Sequence, residues 1–234
     1  MDLPEDYIIP EKITYEDVYA ALDSVKFPTI YSRMNVRCED AQPYKAMCLG
    51  VVDARCYGVL VSSHCLDRPR LTKLLTAFAQ QHIPGFNYTS IQINKNYASA
   101  LHCDKRNMGN SFIVGVGNYT DGALWVHGLD AVDCHNRWLS FDGNIPHCTL
   151  PFTGTRYTLI YFTNTIYGKL GINPHPSKVC RGMKPEAIEY LKTETGIPLP
   201  PAGLTKKQYD KNVDERMAEA RIAFDAWHST SHIL

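Results

Sequence analysis

The chain of 234 residues lacks any apolar run near the roughly 18 residues of a membrane span, so no association through a spanning helix is expected. Its first ten residues carry Asp2, Glu5 and Asp6 and no apolar stretch, which is the wrong start for a secretory signal. An intracellular setting, cytoplasmic or nuclear, is therefore expected. The eight cysteines form no Cys-x-x-Cys pair, which excludes a zinc ribbon or a dithiol redox motif and predicts reduced thiols. Neither sign of charge dominates. Lys plus Arg and Asp plus Glu are 24 each, which excludes a broad polyanion binder but leaves room for a local basic groove. There are no internal repeats and no low-complexity tract.

What remains is a globular composition, 44% hydrophobic and 21% charged, long enough to bury a core without disulfide or metal support. Val18, Ala21, Leu22 and Val25 follow helical spacing before Pro28. Two strands are expected within 46–63, and one helix over Leu66–Gln81 ahead of Pro84-Gly85. From Tyr88 to Thr163 the pattern changes to short branched and aromatic segments: TSIQINKNY, SFIVGVG, ALWV, RWLSFD and RYTLIYFT. Gly, Asn and Asp turns separate them, as in an antiparallel sandwich or barrel. The tail is helical again. Thr205 and Gln208 suggest a capping box, and Tyr209, Val213, Met217, Ala220, Phe224 and Trp227 recur at spacings of four and three. IPLPPAG (197–203) reads as a linker. One domain is expected, α+β in class. Its β core spans about 86–163, between a largely helical N-terminal part (1–85) and a helical extension from about 184 to 234.

One constellation carries chemistry: His102-Cys103-Asp104, then His147, then Arg156. A lone His-x-Asp is expected by chance in a chain with nine histidines, so the motif alone decides nothing. Its placement is more informative. His102 and Asp104 follow a strand, and side chains two apart on extended chain share a face. They can offer an imidazole and a carboxylate to one ion, and a folded-back sandwich can bring His147 to them. Two histidines and a carboxylate make the facial triad of non-haem Fe(II) oxygenases, whereas a structural zinc site would close with four ligands and use cysteine. Arg156 opens an apolar strand, where a buried guanidinium needs an anionic partner. A carboxylate suits its bidentate fork, and Thr158 shares its face. An internal ion pair with a protein acid is the alternative.

With these residues the chain resembles the Fe(II)/2-oxoglutarate-dependent dioxygenases, which have a double-stranded β-helix (jelly-roll) core. The likeness covers about residues 86–163 and rests on HCD, the later His147 and RYT. Within that superfamily it is most similar to the TET/J-binding-protein class, which oxidises the methyl group of 5-methylpyrimidines in nucleic acid. Thr89 ahead of Asn94-x-Asn96, and the GNYTDGAL loop with Asp121 where a second Gly is usual, carry this closer likeness. The resemblance implies that His102, Asp104 and His147 ligate Fe(II). It implies that Arg156 and Thr158 hold the distal carboxylate of 2-oxoglutarate, and that Asn94 or Asn96 touches this cosubstrate. Strand-edge hydrogen bonding is the other role for Asn94 and Asn96. Asn107 is either a reader of the substrate beside the iron or a loop-stabilising residue.

Three functions compete. The first is oxidation of a 5-methylpyrimidine, 5-methylcytosine before others, in DNA or RNA, with the base flipped into the pocket. The second is hydroxylation of a peptide side chain or small metabolite, which the neutral charge favours. The third is a non-enzymatic jelly-roll binding module. Cys103 and Cys148 are expected to pack away from the metal, and His127 and His135 to lie exposed in a loop. Trp125 and Trp138 are expected in strands of the core. The basic stretch KVCRGMKP, with Lys206 and Lys207, is read as a solvated face.

Overall fold

The computed structural model describes residues 1–31, 43–54, 58–165, 167, 187–201 and 213–231. The chain opens with helix α1 (Tyr15–Ser24). Thr14 and Asp17 form a reciprocal capping box at its start, and Val18, Ala21 and Leu22 are its buried face. Strands β1 (Thr29–Ile30), β2 (Tyr44–Ala54) and β3 (Gly58–Val61) follow. The helix expected over 66–81 is two helices, α2 (Ser63–Asp67) and α3 (Pro69–His82). Pro69 causes the break: it supplies no amide hydrogen and keeps the residue before it, Arg68, out of helical geometry. Strands β4 (Ser90–Lys95), β5 (Asn107–Asp121), β6 (Leu124–Val126), β7 (Leu139–Phe141), β8 (His147–Thr149) and β9 (Phe152–Asn164) come next. Helix α4 (Ala187–Tyr190) runs on into a wider turn at Leu191–Thr195, and α5 (Val213–Ser231) is the last described element.

The strands make two antiparallel sheets. The larger runs β1-β2-β4-β9-β5-β7 with β3 paired to β2, and the smaller holds β6 and β8. Single bridges, His102 to His147 and Leu124 to Val132, widen the smaller sheet on both sides. From β4 onward the chain therefore alternates between the sheets: β4, the His102 bridge, β5, β6, β7, β8, β9. That alternation is the double-stranded β-helix, and with the flanking helices the fold is α+β. The larger sheet also recruits β1, β2 and β3, so the part before residue 86 supplies strands as well as helices.

Strand periodicity divides the larger sheet into two faces. Ile91, Ile93, Val114, Val116, Tyr157, Leu159 and Tyr161 point to one side and form the main core with Val18, Leu22, Leu71, Leu74, Leu75 and Phe78 of the helices. Each such fully buried leucine contributes about 2 kcal/mol of transfer free energy. On the other face, Ile113 packs with Leu124, Val126 and Phe141. Gln92, Asn94, Thr158, Ile160 and Phe162 share that second face and line a cavity between the sheets.

Trp125 lies buried in β6, whereas Trp138 sits one residue before β7 and packs on Phe78, His82 and Tyr161. Along α5, Ala220 is buried, with Met217, Phe224 and Trp227 packed around it. The expected capping box at Thr205, the position Tyr209, the basic stretch 178–185 with Lys206 and Lys207, and the end of the linker at 202–203 lie outside the described residues. No helix among the described residues is long and apolar enough to cross a membrane.

Candidate active site

His102, Asp104 and His147 stand together on the wall of a cavity of about 930 Å³. Two backbone ties bring them there. The amides of His102 and His147 donate to each other's carbonyls at 3.0 and 2.9 Å, and the Asp104 amide donates to the Gly143 carbonyl at 2.7 Å. The loop after β4 is thus pinned to the strand that carries the second histidine. His102 Nε2 lies 3.7 Å from Asp104 Oδ1, and His147 Nε2 lies 3.9 Å from Asp104 Oδ2. The ligand atoms of the three residues all fall within 4.8 Å of one another.

The far side of each imidazole is also fixed. His102 Nδ1 donates to the Ala100 carbonyl at 2.7 Å, and His147 Nδ1 donates to the Ile145 carbonyl at 2.8 Å. These bonds fix both rings with Nδ1 turned to the backbone and Nε2 turned toward the carboxylate. The donor set, two imidazole nitrogens and one carboxylate, is that of a divalent transition metal with open coordination positions. Asn107 braces the carboxylate: its Nδ2 donates to Asp104 Oδ2 at 3.3 Å and to Ser111 Oγ at 3.4 Å. The side chain of Asn144 in turn donates to the Asn107 carbonyl at 3.2 Å.

Thr158 and Asn94 face the same cavity, joined by a hydrogen bond from Asn94 Nδ2 to Thr158 Oγ1 of 3.4 Å. Arg156 is 1% exposed and lies two residues along the same strand face, outside the cavity wall. Its Nη2 donates to the Gly122 carbonyl at 2.9 Å, and its guanidinium lies 5.3 and 5.4 Å from the ring centres of Tyr119 and Phe152. Among the described residues no carboxylate pairs with it, and its Nε has no partner. The buried hydroxyl of Tyr119 also lacks one. Burial pushes this phenol well above its usual pKa, and burial likewise raises the Cys134 thiol that touches Nη2 at 3.7 Å. Glycine makes the enclosure possible. A Cβ at Gly115 would sit 2.2 Å from Tyr119 Oη, and one at Gly122 would sit 3.0 Å from Arg156 Nε.

Asn96 does not share the face of Asn94. It follows the end of β4 with a left-handed φ of 50°, and its side-chain oxygen accepts the Arg156 amide at 2.8 Å while its own amide donates to the Arg156 carbonyl at 2.8 Å. Strand alternation stops at Lys95, the last residue of β4, so a spacing of two no longer means a shared face. His135 is half-buried rather than solvent-exposed: its Nε2 meets the Gly117 carbonyl at 2.9 Å and its ring centre is 4.1 Å from that of Tyr119. His127 is also half-buried, with its Nδ1 enclosed. Cys148 packs in the core against α5, whereas Cys103 reaches the cavity wall as well as Met217 of that helix. Tyr119 is the residue the sequence reading passed over, although it stands in the GNYTDGAL loop. At the cavity mouth Arg106 is ion-paired with Asp53, and Lys105 stands beside them.

Neither a family model nor a curated relative matches the chain. Similar solved structures include NgTET1 in complex with 5mC DNA, at 16% identity and a TM-score of 0.43, covering 64% of this chain and 67% of that one. Another is an oxidoreductase of the 2OG-Fe(II) oxygenase family from Burkholderia pseudomallei, at 15% identity and a TM-score of 0.43, covering 63% and 75%. A third is a prolyl hydroxylase from Trichoplax adhaerens in complex with a hypoxia inducible factor peptide, at 13% and 0.40, covering 64% and 76%. None of them assigns an activity to the chain at this level of likeness.

Proposed function

We propose that this chain is an Fe(II)- and 2-oxoglutarate-dependent dioxygenase that hydroxylates a substrate C–H bond. One observation carries the reading: three donors, His102, Asp104 and His147, converge in a cavity with Nε2 of both imidazoles held toward the carboxylate. These three residues would hold the metal. When bound, the iron and the keto acid supply the oxidising chemistry, with dioxygen as the oxidant and succinate and carbon dioxide as co-products. Arg156 would hold the distal carboxylate of the keto acid. A buried guanidinium with no acidic partner among the described residues suits an external carboxylate, and the Tyr119 and Thr158 hydroxyls offer further donors beside it. Asn94 would orient Thr158, Asn96 the backbone of Arg156, and Asn107 the Asp104 carboxylate. Ile113, Leu124, Phe141 and Ile160 give the cavity an apolar wall that keeps water from the reacting atoms.

For the substrate, we infer the methyl group of a 5-methylpyrimidine in nucleic acid, 5-methylcytosine before others. A flat base with polar edges suits a cavity whose apolar wall is bordered by Gln92, Asn94, Ser99 and Thr149. The second reading, a peptide side chain or small metabolite, is favoured by the balanced charge of the chain and by the pairing of Arg106 with Asp53 at the mouth. The test incubates iron-loaded protein and 2-oxoglutarate with methylated duplex and single-stranded DNA, with peptides and with metabolites. Succinate release and hydroxylated products are measured by mass spectrometry. Hydroxymethylated nucleosides support the first reading, hydroxylated peptide or metabolite the second. Succinate formation with no substrate dependence and no loss in His147→Ala would sink the oxygenase reading.

A further inference from the structure

Helix α5 lies against the outside of the candidate metal centre and touches a chain neighbour of every proposed ligand. Leu101 precedes His102 and Cys148 follows His147; both are buried in one cluster with Ala220 of α5, joined by Met217, Phe224 and Trp227. Cys103 stands between His102 and Asp104, and its Sγ lies 3.5 Å from Met217 Sδ. Further along the helix, the Phe224 ring meets Trp125 at 5.1 Å between centres. The segment 102–104 is anchored at both ends, by the exchange of backbone bonds between His102 and His147 and by the bond from Asp104 to Gly143. Its middle residue is held through its side chain, by the helix.

We propose that Met217 is a positioning residue of the metal centre. Its thioether, seated on Cys103, sets how the chain bends between the imidazole of His102 and the carboxylate of Asp104. The separation of the two donors therefore depends on the contact between Met217 and Cys103. Methionine suits this place because an unbranched, polarisable side chain follows the irregular contour between helix and loop. The inference rests on the metal-centre reading above.

The test titrates the full metal-free chain with Co(II) and follows the visible absorption of the bound ion, alongside melting of the metal-free protein. Wild type, His147→Ala, Met217→Ala, Met217→Leu and Phe224→Ala are compared. Met217→Ala is expected to weaken Co(II) binding by about tenfold or more, the usual effect of removing support behind a ligand, and to alter the band shape. Met217→Leu, which refills the contact, is expected to restore both. Phe224→Ala removes packing from the same helix without touching Cys103, so it is expected to lower the melting temperature and leave the Co(II) titration unchanged. Wild-type binding and spectrum in Met217→Ala would overturn the inference. So would an equal loss in Phe224→Ala, since helix docking in general would then account for the effect. A wild-type chain that takes up no more Co(II) than His147→Ala overturns the metal-centre reading and this inference with it.

Discussion

His102 and His147 are joined rung to rung: each backbone amide donates to the other's carbonyl, and the two rings lie tilted at 54° with centres 4.4 Å apart. The bridge comes from the backbone and is independent of any ion, so the three proposed donors are already gathered without one. His102→Ala, Asp104→Ala and His147→Ala should each abolish turnover and Co(II) uptake while far-ultraviolet circular dichroism stays at the wild-type level. Retained stoichiometric metal in His147→Ala would exclude the site.

Arg156 should report on the cosubstrate in two opposite ways. As a buried cation with no acidic partner among the described residues it carries a desolvation cost, so Arg156→Met is expected to raise the melting temperature of the ligand-free chain. The same change should weaken 2-oxoglutarate binding by more than tenfold, because losing a buried carboxylate partner costs about 2–5 kcal/mol. Arg156→Lys should also bind poorly, since an ammonium does not reproduce the fork. The check is the thermal shift of each variant with and without 2-oxoglutarate. A shift in Arg156→Met equal to that of wild type would place the carboxylate elsewhere.

Gly115 and Tyr119 should couple. A methyl at Gly115 meets the Tyr119 hydroxyl, so Gly115→Ala should destabilise by about 1–3 kcal/mol through overpacking. Tyr119→Phe removes a buried hydroxyl that makes no hydrogen bond among the described residues, so alone it should leave stability near wild type or above it. The double variant should recover much of the Gly115→Ala loss. Urea unfolding of the four proteins measures the coupling, and simple additivity would show that the hydroxyl is not what the methyl strikes.

Stability should form a plateau near neutral pH. Burial raises the pKa values of Cys65, Tyr88, Tyr119, Cys134 and Tyr161. Above about pH 8.5–10 the unfolded chain releases these protons while the native chain keeps them, so stability falls as pH rises. Burial lowers the pKa values of His64 and His82. Below about pH 6.5 the unfolded chain takes up protons that the native chain does not, so stability falls again as pH drops. Melting temperatures from pH 5 to 10.5 test both limbs; a melting temperature still rising above pH 10 would contradict the alkaline one.

The sequence by itself marked most of the strands and helices and singled out His102, Asp104, His147 and Arg156 as the candidates for chemistry. The period-two pattern of β4, β5 and β9, the helical spacing of Val18, Ala21 and Leu22 and the spacing of His102 and Asp104 are local properties, written in neighbouring residues. Local pattern also reached its limit at definite places. Pro69 divides a helix whose apolar spacing runs on unbroken, and the left-handed turn at Asn96 ends the alternation that Asn94 began. Tertiary structure alone decided the rest. It brought His147 to His102, closed Tyr119 and Phe152 over Arg156, turned Asn107 toward Asp104 and laid Met217 on Cys103. Apart from the local turn that sets Asn107 on Asp104, these contacts arise through sheet closure or helix docking. Their geometry is set by backbone bonds and packing between whole elements, to which short-range periodicity is blind.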